Sequence, residues 1–262
     1  MSTLHRPSPI DYLFLSAETE RQPMHVGCLL RYRTAADELG ADDAAAATLH
    51  ALLSRDEVMA PFNYRLVTRW GMPYWLEEAS VDISQHVHHI HLPEGSGEQA
   101  LLDLVGALHG RCMDRTAPLW RVWVISGLAN RRYAVYCQIH HALLDGVSGV
   151  RMIAGAHATD PNERNMNPFW APDVARGRTT ALAGKPDSAA ALPTARALGR
   201  RFLEAQVAAG QGLVKNWWQQ RAEIGGCGLF SAPETALNKR VSESRRLVAD
   251  SISLSRIQSV AR

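Results

Sequence analysis

The chain has 262 residues, 46% of them hydrophobic, with 28 basic against 26 acidic side chains and a formal net charge of +2. That length and apolar content support a substantial core in one large domain or two small ones, while the balanced charge, with no basic run, excludes an obvious nucleic-acid partner. Cys28, Cys112, Cys137 and Cys227 stand far apart with no CxxC pair, which argues against a zinc knuckle or a disulfide framework and fits a reduced cytoplasmic setting.

Ser8-Pro9-Ile10-Asp11 is a turn and capping sequence that leads into Tyr12 to Leu15, predicting a short helix. Val26 to Tyr32 reads as a strand. Asp42-Asp43 then opens an alanine-rich helix through Leu49, Leu52 and Leu53, its acids at the positive end of the helix dipole, so that a βα unit is expected. Pro61 to Trp75 mixes aromatics with Gly71 and Pro73 and is expected to be loop with a short strand. Ile83 to Leu92 carries four histidines. A strand period of two puts His86 and His88 on one face and His89 and His91 on the other. Each pair falls short of a zinc site without ligands from elsewhere, so no metal is expected.

Leu101, Leu102, Val105 and Leu108 recur at helical spacing and predict a core helix within 98–113. Leu119 to Ile125 and Tyr133 to Ile139 read as two strands joined by a turn over 127–132, a hairpin whose start, Pro118-Leu119-Trp120, carries an anchoring aromatic. The hairpin leads into His140-His141-Ala142-Leu143-Leu144-Asp145-Gly146, followed by Val147, Val150, Ile153 and Ala154 at helical spacing. Side chains where a strand ends and a helix begins can reach a cleft from a rigid backbone, and imidazole is the usual general base near neutral pH. Asp145 would orient a histidine or close the turn through a charged hydrogen bond, with Arg115 and Arg151 as candidate partners. Gly146 would let the backbone pass close to a ligand or take a positive φ. An ordinary buried histidine pair, with Asp145 capping the next helix, fits the same residues.

Pro161, Pro168, Pro172, Pro186 and Pro193 mark 161–193 as an exposed connection. Thr194 to Ile224 reads as a long basic helix with Leu198, Phe202, Ala205, Ala209, Leu213 and Trp217 on its apolar stripe. That stripe either docks on the protein or rests at a membrane interface through Trp217-Trp218. No run of about 18 apolar residues predicts a membrane span. Arg245 to Leu254 alternates like a strand, and Ser255 to Val260 begins a helix without a stop signal. The expected organisation is a lobe over 1–160, the connection over 161–193, and over 194–262 the long helix and the start of a truncated second lobe.

The HHxxxDG pattern is similar to that of the acyltransferase superfamily that includes chloramphenicol acetyltransferase and peptide-synthetase condensation domains. Together with Ser8-Pro9-Ile10-Asp11, Pro23-Met24-His25-Val26-Gly27, Pro118-Leu119-Trp120, Val147-Ser148-Gly149 and Thr235-Ala236-Leu237-Asn238, the chain resembles the bacterial bifunctional wax ester synthase/acyl-CoA:diacylglycerol acyltransferases. The resemblance implies an α/β (α+β) lobe, a mixed sheet flanked by helices, with the second lobe largely absent. It implies transfer of a fatty acyl group from acyl-CoA to diacylglycerol or a long-chain alcohol, with acyl-CoA as co-substrate and no other cofactor. His141 would be the general base, and His140 and Asp145 would support it. Gly146, Ser148, Pro118, Leu119 and Trp120 would bind substrate or brace the pocket. The implied setting is cytoplasmic, peripheral at the inner membrane or at lipid droplets, with the missing lobe or a second copy as partner. The alternative is a non-catalytic lipid-binding or regulatory fragment of such an enzyme.

Overall fold

Two strands built around short apolar runs at 122–125 and 133–137, β6 (Trp120–Leu128) and β7 (Arg132–His140), form the middle of a four-stranded mixed sheet in the order β2-β7-β6-β5. Here β2 is His25–Arg33 and β5 is Val87–Ser96. The computed structural model describes residues 3–36, 39–158, 160, 167–172, 235 and 245–260. β2 and β7 pair antiparallel, as do β6 and β7, whereas β5 and β6 are parallel. Antiparallel neighbours close with a short loop, Ala129 to Arg131, in which Asn130 and Arg131 both take positive φ. The parallel pair needs a crossover, and α3 (Glu98–His109) provides it.

Both faces of this sheet are covered, which is why β6 and β7 lack the alternation of a half-solvated strand. On one face Val122, Val124, Val135, Cys137 and Ile139 pack with Ala45 and Leu52 of α2 (Ala41–Leu53). On the other, Trp123, Ile125, Ala134 and Tyr136 pack with Leu101 and Val105 of α3. Each fully buried aliphatic side chain contributes about 1.5 to 3 kcal/mol, so the central hairpin is the most strongly anchored part of the lobe. A second sheet, in the order β1-β4-β3, joins β1 (Leu4–His5), β4 (Met72–Glu77) and β3 (Tyr64–Arg69).

Several expectations are corrected. Residues 61–75 hold most of a full hairpin, β3 and β4, rather than a loop with one short strand: Trp70 (φ 51°) and Gly71 (φ 75°) make its two-residue turn, the positive-φ pair that matches strand twist. Pro73 lies outside the span Trp75–Leu76 that pairs with β1, so its missing N–H costs no bond on that edge. The expected βα unit is present as β2 and α2, and the strand after it, β3, belongs to the other sheet. Gly127 and Leu128 belong to β6 and not to the turn, Gly127 lying within an irregularity of its register between Ile125 and Leu128. Residues 245–253 form no strand; Leu247 packs on the α3 cluster, and a helix follows at Leu254–Val260.

The chain divides into two compact units, Met1–Leu182 with Val241–Arg262, and Ala183–Arg240. Apart from Thr235, the second unit lies outside the described residues, as does the predicted helix at 194–224. Among the described residues no helix is long and apolar enough to cross a membrane.

Candidate active site

The last residues of β7 and the turn after it carry the histidine pair, and the two rings have different surroundings. His140 is fully buried, and its Nδ1 accepts a hydrogen bond from Ala142 N–H at 3.0 Å. Its proton is therefore assigned to Nε2. That nitrogen lies 3.3 Å from Glu18 Oε1, within ion-pair reach but not aligned as a hydrogen bond. The backbone N–H of His140 donates to Leu119 C=O at 2.9 Å. His141 is half-buried, its backbone N–H donating to Met24 C=O at 2.9 Å. Its ring stacks on Phe14 with centroids 4.1 Å apart and planes at 13°. Among the described residues, no group hydrogen-bonds to the His141 ring nitrogens.

Both histidines lean on one helix. α1 (Pro9–Ala17) begins with a capping box, in which Ser8 Oγ accepts from Asp11 N–H and the Asp11 carboxylate accepts from Ser8 N–H. Its far end presents Phe14 and the C-cap residue Glu18, four positions apart and so on one face. Glu18 is 5% exposed in its side chain and accepts hydrogen bonds from Met24 N–H (3.1 Å) and from Arg115 Nη2 and Nε (2.9 and 3.2 Å). Burial by itself would push its carboxyl up, but His140, Met24 N–H and Arg115 together outweigh burial and hold it down at about 2. Phe14 and Glu18 are the site residues that sequence reasoning missed; their signal was the four-residue spacing on the helix after Ser8.

The Pro23–Gly27 stretch reaches the site through β2, where His25 faces His140 across the ladder. His25 is buried, its Nε2 2.8 Å from His109 C=O and 2.6 Å from the Gln138 amide. Burial is the main cause that brings its pKa down to about 4. A Cβ at Gly27 would sit 2.6 Å from the Tyr136 hydroxyl, so any side chain here would have to push the buried Tyr136 ring aside.

Asp145 caps the helix that follows, α4 (Gly146–Gly155). Its carboxylate accepts from Ser148 N–H (2.9 Å) and Ser148 Oγ–H (2.7 Å). Arg115, expected as a candidate partner for Asp145, is engaged by Glu18. Gly146 takes no positive φ, and the space a Cβ would occupy is open. Asp145→Ala is expected to cost about 1 kcal/mol of stability, as N-cap losses do; an unchanged midpoint in a denaturant melt would refute the capping role. Pro118, Leu119 and Trp120 are all buried. Trp120 donates through Nε1 to Phe62 C=O and stacks on His86 and Trp170 at 4.3 and 4.8 Å. Trp120 therefore anchors the core, and Leu119 holds the His140 backbone.

The four histidines of 83–92 do not gather here. His86 precedes the strand and turns into the core under Trp120, its Nδ1 2.8 Å from Trp120 C=O, while His88 lies over Trp123. The two are not on one face, because the strand period starts only at Val87. His89 and His91 do share a face, where both approach Ser126 Oγ.

A buried brace beside a half-open imidazole is an arrangement that many proteins could build, and the comparisons with known proteins narrow it. The family described as the wax ester synthase/diacylglycerol acyltransferase catalytic domain matches residues 8–262. The chain belongs to this family. A putative diacylglycerol O-acyltransferase of Mycobacterium tuberculosis is 35% identical over 97% of this chain and 54% of its own length. The O-acyltransferase WSD of Acinetobacter baylyi is 31% identical over 100% of this chain and 55% of its own. The solved structure of the wax ester synthase/diacylglycerol acyltransferase from Marinobacter aquaeolei VT8 superposes with a TM-score of 0.70 at 33% identity, covering 98% of this chain and 55% of that one. The mixed α/β lobe is thus a wax ester synthase/diacylglycerol acyltransferase fold, and the chain spans about half the length of the relatives it matches. The family match begins at Ser8, the cap of the helix that supports both histidines.

Proposed function

We propose that this chain carries the histidine half of an acyl-CoA-dependent O-acyltransferase that moves a fatty acyl group onto diacylglycerol, a long-chain alcohol, or both. The observation that carries the reading is His141: its ring stacks on Phe14 and its backbone is held by the Met24 carbonyl, yet its ring nitrogens meet no group among the described residues. In this scheme His141 takes the proton of the acceptor hydroxyl as that oxygen attacks the thioester carbonyl. The tetrahedral intermediate then collapses, the C–S bond breaks, and the imidazolium returns the proton to the departing CoA sulfur. The scheme calls for no cofactor and no serine or cysteine nucleophile.

A positioned base supplies about 10² to 10⁴ in rate. Placing two bound substrates in line and stabilising the oxyanion supply the rest, and we assign part of that task to the half of the relatives' length beyond this chain, or to a second copy of it. The acceptors partition into lipid, so we place the protein on the cytoplasmic side, working at a membrane or lipid-droplet surface. The exposed Ile10, Tyr12 and Leu13 of α1 suit such a surface.

The test is to incubate the purified chain with a long-chain acyl-CoA and either hexadecanol or a diacylglycerol, following ester and free CoA together. Ester and CoA appearing in equal amounts supports direct transfer, and the faster acceptor names the activity. CoA released without ester would mean hydrolysis at a half-built site. No turnover by a folded chain would sink the claim of an autonomous enzyme.

A further inference from the structure

We propose that Asp42, His91 and Glu94 form a binding site for a divalent transition-metal ion of the zinc type. The three come from two elements, Asp42 from the first turn of α2 and His91 and Glu94 from β5, and one ligand atom of each lies within 4.8 Å of the others. Small side-chain adjustments bring such a set around an ion that takes its nitrogen and oxygen ligands at about 2.0 to 2.2 Å. The strand period offers only His89 on the face of His91. The remaining ligands come from the helix that the fold lays over the strand end, and from the strand's own irregular last turn.

The second layer around these groups is already in place. His91 Nδ1 is 2.9 Å from the Oγ of Ser126, a 1%-exposed residue, which turns Nε2 outward to within 3.1 Å of Glu94 Oε1. An imidazole whose far nitrogen is held by a buried hydroxyl is the arrangement that orients a ligand histidine. Asp42 Oδ1 accepts from Gly127 N–H at 2.8 Å. Two carboxylates beside an imidazole make a dianionic pocket that a dication neutralises, and the imidazole favours a transition metal over magnesium or calcium. The exposed side chains of His91 and Glu94 leave coordination positions to water.

The site is remote from the histidine pair. Ser126 is six positions along β6 from Trp120, whose ladder partner is Ile139, a span of about 20 Å. An ion here clamps the start of α2 to the end of β5 and acts on stability, not on acyl transfer. A bare His91–Glu94 pair makes no use of Asp42, and Asp42 is therefore the discriminating residue.

The experiment titrates the EDTA-treated full chain with Zn²⁺ by calorimetry, with equilibrium dialysis as the count of bound metal, and follows the melting temperature with and without the ion. The parent is expected to bind a single Zn²⁺ and to melt higher in its presence. Asp42→Asn and His91→Ala are each expected to weaken binding at least tenfold and to abolish the thermal shift. Ser126→Ala is expected to weaken it by about tenfold through the orientation of His91. His50→Ala, on an exposed histidine further along α2, should leave binding unchanged. A folded parent that takes up no Zn²⁺ overturns the proposal, and so does binding that survives in both Asp42→Asn and His91→Ala.

Discussion

His141→Ala should lower ester formation by about 10² to 10⁴, the range that a positioned general base contributes, while leaving the melting temperature close to that of the parent. The two halves of this expectation have separate causes. The ring is half-buried and packs on Phe14 alone among the described aromatic residues, so its removal opens little of the core. Its backbone tie to Met24 C=O does not depend on the side chain. If it is the base, the loss falls mainly on kcat and not on KM, because proton transfer is an interaction of the transition state. His140→Ala makes the contrasting control: a fully buried ring lost from beside Glu18 should lower the melting temperature as well as the rate. A His141→Ala chain that forms ester at the parent's rate would remove the base assignment outright.

Glu18→Ala should destabilise the lobe by about 1 to 3 kcal/mol, because it removes a buried carboxylate that accepts from Met24 N–H and Arg115 and leaves that half-exposed guanidinium, among the described residues, with one carbonyl partner, Leu15 C=O. Glu18→Gln should cost less, since the amide oxygen still accepts from Met24 N–H. The same pair sets the acid behaviour. The folded-state pKa of Glu18 is depressed from 4.5 to about 2, so its contribution is complete above the ordinary carboxylate range and is lost as pH falls from about 4.5 towards about 2. Denaturant melts at pH 7 and pH 3 should therefore show a loss in the parent that is smaller in Glu18→Gln. Equal losses in both would refute the assignment.

Much of this was legible before any coordinates, for reasons that can be named. The β6–β7 hairpin declared itself through apolar density, the α1 helix through Ser8 and Asp11, and the Asp145 cap through its place just before a helical run. The hairpin at Trp70-Gly71 was hidden because glycine and proline usually read as breakers, whereas here one makes the turn and the other sits where no neighbour needs its N–H. His86 was misplaced because a period can be counted only once the strand's first residue is known. The support from Phe14 and Glu18, and the meeting of Asp42 with His91, depend on which surfaces the fold brings together, and composition and spacing are silent about that.

The ladder that sets His25 opposite His140 also imposes an order of events on synthesis. β2 is complete at Arg33, but the strand it pairs with starts at Arg132, about a hundred residues later. At a translation rate of about 5 to 20 residues per second, the nascent β2 waits roughly 5 to 20 s with both hydrogen-bonding edges open and no partner of its own. Closing so long a loop is slow and exposes the strand to mispairing. The histidine pair is therefore assembled late, after the rest of the sheet has been made.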